Sequence, residues 1–354
     1  MSGKVSAFLK RKNVVFSASR YGIDALGAMA QGLFASLLIG TILSTLGEQL
    51  GIEILVTIGG YAKAATGPAM AVAIGYALQT PQLVLFSLIA VGGAANELGG
   101  AGGPLAVFVA AILASECGKI ISKETKIDII VTPCITIAVG VLFSMACAPA
   151  IGKAASSVGS AIMWATELQP FFMGILVSVL VGVALTLPIS SAAICAALGL
   201  TGLAGGAAVA GCCAQMIGFA VMSFKENKWG GLFAQGIGTS MLQMGNIVRN
   251  PRIWIPPTVA AAITGPIATC VFRFQMNGAA VASGMGTCGM VGQIGVYTGW
   301  VSDVASGAKA AITPWDWLAM LLICFVLPAV ITLLAAIPLR KAGWIKENDL
   351  KLDL

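Results

Sequence analysis

Apolar residues in this chain form long continuous runs, which short polar or glycine-rich stretches separate. Several runs hold about 20 residues, the length that an α-helix needs to cross a bilayer. Clear examples are Ile23–Leu46, Ile127–Ala148, Leu168–Leu187 and Leu318–Leu339. The runs do not alternate between apolar and polar residues, which excludes a transmembrane β-barrel. The pattern predicts an all-α polytopic membrane protein with about eight to ten transmembrane or re-entrant helices.

Glycine-rich stretches interrupt the apolar sequence at Gly92–Gly103, Gly199–Gly206 and Gly278–Gly299 and predict broken helices. Irregular backbone is tolerated at membrane depth only where protein covers it or where it lines a wet cavity. The flanks of the first stretch, Gln82–Ala95 and Leu105–Cys117, fit either a re-entrant hairpin or one broken span. The sequence leaves both arrangements open.

Composition and charge agree with a membrane protein. The chain is 58% hydrophobic and 10% charged, whereas a soluble domain carries roughly 25% charged residues. Its net charge of +6 comes from basic residues near the ends and in short loops, as the positive-inside rule describes. We therefore expect no nucleic-acid partner. We also expect a cytoplasmic interfacial helix over residues 1–21, one transmembrane domain of transport type over 22–339 and a cytoplasmic tail over 340–354.

A repeated sequence motif suggests two halves within that domain. The segments Ala65–Ala69 and Ile263–Ile267 share Thr-Gly-Pro, and each precedes a glycine-rich polar stretch. Transporters often carry paired interrupted helices in two repeats. The repeated motif predicts possible halves 22–165 and 166–339. The alternative is a chance match in a glycine-rich chain.

Motifs that carry chemistry are few. Nine cysteines include no C-x-x-C pair, and histidine is absent, so we expect no metal site and no cofactor. Without an imidazole base, no catalytic residue is assigned. Gly284–Gly289 spells G-x-G-x-x-G, but a membrane segment is not the setting of a dinucleotide fingerprint. We expect close packing through small residues there instead.

The leading candidate for a solute site is Asn96-Glu97 on the first glycine-rich break. Glu97 is the only residue between Lys63 and Glu116 that is charged at neutral pH. A carboxylate at membrane depth costs about 2.5–3.5 kcal/mol on insertion scales, so such residues usually serve a site. The alternative is a structural carboxylate that accepts loop N–H bonds or pairs with an arginine.

Other polar residues beside chain breaks could help to bind a small polar solute. They are Ser190, Ser191, Asn246, Arg249, Asn250, Gln275 and Asn277. The serines could instead bond to the local backbone. The segment around Arg249 could be a cytoplasmic topology loop, and residues 273–277 could extend to a membrane interface.

With these residues in view, the chain resembles the membrane enzyme IIC family of the phosphotransferase system, and most closely its perfringolysin O regulator branch. The resemblance rests on Asn96–Pro104, Lys119–Pro133, Pro188–Ala192 and Gly245–Pro257 and covers nearly the whole chain.

The resemblance implies a homodimeric bacterial plasma-membrane carrier that binds a sugar or a sugar-like acid through re-entrant hairpins and works by alternating access. Both termini would be cytoplasmic. Classical members use an intramembrane glutamate and often a histidine, and this chain offers Glu97 but no histidine. Any phosphorylation would need separate cytoplasmic phosphotransferase components. The regulator branch implies an alternative, a membrane sensor that controls gene expression without transport.

Overall fold

The computed structural model describes residues 2–352, and their regular structure is helical. Six helical stretches are long and apolar enough to cross a membrane. They are Arg20–Leu50, Gln82–Ile121, Asp128–Thr166, Gly202–Met222, Pro251–Val271 and Pro314–Lys341. The shorter Pro170–Thr186 is equally apolar. The prediction of an all-α polytopic membrane protein with broken helices is confirmed.

Backbone contacts divide the chain into two compact units, Met1–Ala154 and Ala155–Leu354. The boundary falls inside the helix Asp128–Thr166, which is a single helix of 39 residues. The apolar run of spanning length that the sequence predicts, Ile127–Ala148, ends at Ala148. The helix instead continues through Pro149, because the alanine, serine and glycine residues that follow do not end a helix that has already formed. The halves 22–165 and 166–339 stay a prediction.

The first unit contains the hairpin that the sequence left open. Helices Gln82–Gly99 and Gly103–Ile121 are joined by a short turn of 3₁₀ helix, Gly100–Gly102. Gly118, near the end of the second helix, packs against Val84, near the start of the first. The two helices are therefore antiparallel, and the stretch is a hairpin rather than one broken span. We call it the first hairpin.

Three further helical stretches of the first unit precede the first hairpin. Arg20–Leu50 is followed by Glu53–Ala64 and Thr66–Ala77. The apolar sequence Ile54–Leu78 is therefore divided into two half-helices with a break at Ala65. The tip of the first hairpin packs on the long helix Asp128–Thr166, since a β-carbon at Gly102 would lie 2.8 Å from the Ile151 carbonyl oxygen.

The N-terminal arm is fixed to the first unit by buried and charged contacts. Its helix, Ser2–Arg11, is followed by Lys12, which pairs with Glu124. The Lys119 ammonium is 1% exposed and donates to the Asn13 carbonyl at 3.0 Å, to the Leu78 carbonyl at 3.3 Å and to Glu116 at 2.9 Å. The arm and two loops therefore meet at one end of this unit. The membrane side of that end stays a prediction.

The second unit is built around the helix Gly202–Met222, which we call the central helix. Its residues are almost all buried. Helix Pro170–Thr186 packs along it and along Ile255–Pro266. A short helix, Ser191–Ala197, brings the chain from Thr186 back to the start of the central helix.

A second hairpin reaches the middle of the central helix. Its first arm contains the 3₁₀ turn Ala280–Gly284, a second 3₁₀ turn, Cys288–Met290, follows the tip, and its second arm is the helix Val291–Ala305. Gly286, at the tip, has φ +53°, and a β-carbon there would lie 2.6 Å from the Cys212 β-carbon. Only glycine suits this conformation and this approach. The expectation of close packing at Gly284–Gly289 is confirmed.

Candidate functional site

Asn96 and Glu97 lie in the last turn of the helix Gln82–Gly99, just before the tip of the first hairpin. The sequence suggested irregular backbone at this point, but the helix includes both residues because Gly100 is the first residue to leave helical geometry. Asn96 is half-buried, and the Glu97 side chain is exposed in the isolated chain. None of the ion pairs found within residues 2–352 involves Glu97. Its role in solute binding stays a prediction.

Ser190 and Ser191 have different surroundings in the second unit. The Ser190 hydroxyl accepts a hydrogen bond from the Ala193 amide at 3.2 Å and caps the helix Ser191–Ala197. The Ser191 hydroxyl is buried and donates to the Gly284 carbonyl at 2.7 Å. Ser191 therefore fixes the second hairpin to this break.

Asn246 and Asn250 bind the chain's own last residues. The Asn246 amide donates to the Lys351 carbonyl at 2.8 Å, and the Asn250 amide donates to the Trp344 carbonyl at 2.9 Å. Arg249 is exposed at the end of its helix. Asn246 and Asn250 therefore hold a docked segment of the same chain.

Gln275 and Asn277 flank the one isolated β-bridge found in the described chain, between Met276 and Gly202. The Asn277 amide donates to the Gln275 side-chain oxygen at 3.2 Å and to the Asp303 carboxylate at 2.7 Å. Gln275 also lines a cavity of about 430 Å³. The other lining residues are Pro170, Leu203, Thr269, Cys270 and Arg273. Within the second unit, the predicted residues thus lie in separate places.

A buried polar cluster that the sequence analysis missed lies in the second unit, around Gln215 of the central helix. Gln215, Thr186 and Ser240 are fully buried. The Thr186 and Ser240 hydroxyl oxygens are 2.8 Å apart, and the Thr186 hydroxyl lies 3.4 Å from the Gln215 side-chain oxygen. The Trp254 indole donates to that oxygen at 2.9 Å, and the Gln215 amide donates to the Thr258 hydroxyl at 3.2 Å. We call these five residues the Gln215 cluster.

Chain breaks bring the Gln215 cluster together. Thr186 is the last residue of its helix, Ser240 begins a 3₁₀ turn after the extended residue Thr239, and Trp254 ends another 3₁₀ turn. Each break carries a hydroxyl or an indole to the side of an otherwise regular helix. Convergence of broken helices on one point is the usual design of a transporter site.

A cleft of about 370 Å³ borders the Gln215 cluster. Trp254 and Thr258 belong to both, and Val183, Pro251, Ile255 and Val259 complete the lining of the cleft. The volume lies within the range of small-molecule sites, which is roughly 300–1,000 Å³. Its lining is mostly apolar, as in most small-molecule sites, and Thr258 contributes a hydroxyl group.

The electrostatics of the Gln215 cluster are neutral, since none of its five side chains ionises at physiological pH. A glutamine amide carries two N–H donors, and the one described bond from the Gln215 amide goes to Thr258. Uncharged donors and acceptors in an apolar setting recognise hydroxyl groups and disfavour ions, whose desolvation they do not compensate.

One feature of the sequence could have revealed this cluster. Gln215 is the only charged or carboxamide residue between Gly202 and Met222. A polar side chain within an otherwise apolar span faces protein or a cavity, because lipid does not satisfy its hydrogen bonds.

Further polar groups approach the central helix from the second hairpin. The Gln293 amide donates to the Cys213 sulfur at 3.3 Å, and its buried side-chain oxygen has no partner among the described residues. The Thr287 hydroxyl donates to the Met216 sulfur at 3.5 Å. These contacts lie on the turns of the helix that hold Gln215.

Multiple apolar spans and broken helices define a multi-pass membrane protein. The chain matches the family model described as "Phosphotransferase system, EIIC" over residues 23–352 and belongs to that family. It is thus a membrane-embedded sugar-transport component of the phosphotransferase system. Neither the curated proteins nor the solved structures gave a match to this chain.

Proposed function

We propose that this protein binds an uncharged sugar at the Gln215 cluster and carries it across the membrane by alternating access. Family membership supports a sugar as the class of solute. The observation that carries the choice of site is the fully buried position of Gln215, Thr186 and Ser240 beside the cleft at Trp254. The neutral lining favours a sugar over a sugar acid.

In the proposed mechanism the broken elements supply the movement. The turns that carry Ser240 and Trp254 can shift while the central helix stays fixed. Movement around a fixed site at a helix break is the common mode of secondary transporters. We also propose that Asn96 and Glu97 form a further polar site for the solute at the tip of the first hairpin. From the family we propose that the protein is a homodimer and works with cytoplasmic phosphotransferase partners. Membership of the perfringolysin O regulator branch stays a prediction from the sequence.

Binding of a sugar panel to the purified protein in lipid nanodiscs tests the proposal by calorimetry. The substitution Gln215→Glu keeps the size of the side chain but removes the amide donors and adds a charge. We expect it to weaken binding of the sugar that the wild type prefers by at least about tenfold, the effect of roughly 1.4 kcal/mol.

The matched control is Gln169→Glu, at an exposed glutamine whose side chain forms no cap bond at the start of its helix. It should leave the affinity unchanged. A wild-type protein that binds no member of the panel, or a Gln215→Glu variant that binds as tightly as the wild type, would contradict the proposal.

A further inference from the structure

Residues Trp344–Leu352 pack against the chain that leads from the central helix to Pro251, and we call them the tail segment. The Leu350 side chain is fully buried and Ile345 is nearly so. The Leu350 carbonyl accepts hydrogen bonds from the Asn227 amide at 2.7 Å and from the Gln243 amide at 3.0 Å. The side-chain amides of Asn227, which is half-buried, and Gln243, which is buried, therefore bind the main chain of the tail segment.

Several other contacts hold the tail segment at the same place. The Leu352 amide donates to the Asn227 side-chain oxygen at 2.8 Å, so Asn227 both donates to the segment and accepts from it. Lys225 pairs with Glu347 at 2.7 Å, which holds the pKa of Glu347 below its usual value. The Arg252 guanidinium lies 5.1 Å from the centre of the Trp344 ring. Main-chain, charged and aromatic contacts thus act together.

A single turn connects the tail segment to the Gln215 cluster. The 3₁₀ turn Ser240–Gln243 is four residues long. At its first residue the Ser240 hydroxyl contacts the Thr186 hydroxyl at 2.8 Å. At its last residue the Gln243 amide donates to the Leu350 carbonyl. A shift at either end of so short a turn moves the other end.

Buried amides reinforce the far end of this turn. Gln243 also donates to the Gln235 side-chain oxygen at 2.9 Å, and the Gln235 amide donates to the Ser223 hydroxyl at 2.8 Å. The Asn246 amide donates to the Gln243 side-chain oxygen at 2.8 Å. Each of these carboxamides is buried, so loss of a partner leaves a polar group unsatisfied.

We propose that the tail segment is a positioning strap that holds the turn Ser240–Gln243 and thereby fixes Ser240 in the Gln215 cluster. Docking of the tail segment and binding of solute then stabilise each other, as thermodynamic linkage requires. The second statement rests on the proposed function, whereas docking of the strap onto the turn does not.

Hydrogen–deuterium exchange of the full chain in nanodiscs tests the strap. Asn227→Ala removes two hydrogen bonds to the tail segment, and Leu350→Ala removes the buried side chain that anchors the segment. We expect amides in residues 234–243 to exchange at least about tenfold faster in both variants, because one loses two hydrogen bonds and the other loses a buried apolar side chain. Lys351→Ala is the control, because the Lys351 side chain is exposed and its carbonyl is kept.

Unchanged exchange in residues 234–243 of folded Asn227→Ala and Leu350→Ala proteins would overturn the strap. A second exchange experiment adds the sugar that the wild type binds. The strap predicts that amides in residues 344–352 then exchange at least threefold more slowly. A bound sugar that leaves this exchange unchanged would overturn the linkage. If the wild type binds no sugar, the proposed function fails while the comparison of variants still decides the strap.

Discussion

At the scale of single residues, the polar groups of this chain are mostly engaged by other parts of the chain. Ser191 bonds to the Gly284 carbonyl, and Asn246 and Asn250 bond to the tail segment. The sequence showed that these residues stand beside chain breaks, and that is correct. It did not show that main-chain carbonyls far along the chain accept their hydrogen bonds, since such partners leave no local pattern.

Gln215 is a candidate site residue that the sequence did not reveal. A lone glutamine among glycine and alanine residues is also what a simple helix-packing contact looks like in sequence. Only its position beside Thr186, Ser240 and Trp254 distinguishes a site from such a contact. These three partners come from three separate breaks in the chain, and no rule of sequence spacing relates them.

Lys119 offers a stability prediction at this scale. Lys119→Ala leaves the buried Glu116 without its partner, and the second Glu116 oxygen already has none among the described residues. We expect the free energy of unfolding to fall by about 3–5 kcal/mol, the usual effect of breaking a buried pair from one side. Thermal unfolding in detergent measures the loss.

The control for Lys119 is Lys123→Ala, at an exposed lysine in the following loop, which should change stability little. The double variant Lys119→Met with Glu116→Gln removes both charges and should recover part of the loss. Equal stability of Lys119→Ala and Lys123→Ala would show that the buried pair does not hold the N-terminal arm.

At the scale of elements, glycine-rich sequence predicted where helices break but not how the pieces pack. The first hairpin and the second hairpin both turn at predicted breaks. Whether a broken stretch doubles back depends on contacts such as Val84 with Gly118. Those contacts join residues far apart in sequence, so periodicity does not report them.

The long helix Asp128–Thr166 is the clearest difference at this scale. Its second half is rich in small and polar residues, a composition that resembles an external loop. Helix length in a packed protein is decided by neighbours more than by intrinsic propensity. The close contact of Gly102 with Ile151 shows that the helix has a packing neighbour beyond the end of the apolar run Ile127–Ala148.

Gly286 supports a prediction about the second hairpin. Gly286→Ala forces a β-carbon against Cys212 in a left-handed conformation. Gly307→Ala meets the same kind of conformation, at φ +78°, but its β-carbon would lie in open space. We expect the first variant to be less stable than the second by about 1–3 kcal/mol, the usual cost of overpacking.

Thermal unfolding of both glycine variants measures that difference, and alkylation of Cys288 by a maleimide gives a second reading. Cys288 is buried beside the tip, so its labelling should accelerate in Gly286→Ala and not in Gly307→Ala. Matching stabilities and labelling rates in the two variants would mean that the tip is not tightly packed on the central helix.

At the scale of the whole molecule, family membership and chemistry limit what this chain does alone. It belongs to the EIIC family over residues 23–352 and contains no histidine. A phosphohistidine therefore cannot form on it. In the proposed account the chain supplies recognition and passage of the sugar, and separate cytoplasmic proteins supply any phosphoryl group.

The location of a bound sugar tests this account most directly. A structure determined with the sugar that the protein binds most tightly should show density in the cleft at Trp254. A sugar hydroxyl should lie within hydrogen-bond distance, about 2.7–3.2 Å, of the Gln215 amide. Density at another place, with the Gln215 cluster closed and unchanged, would contradict the account.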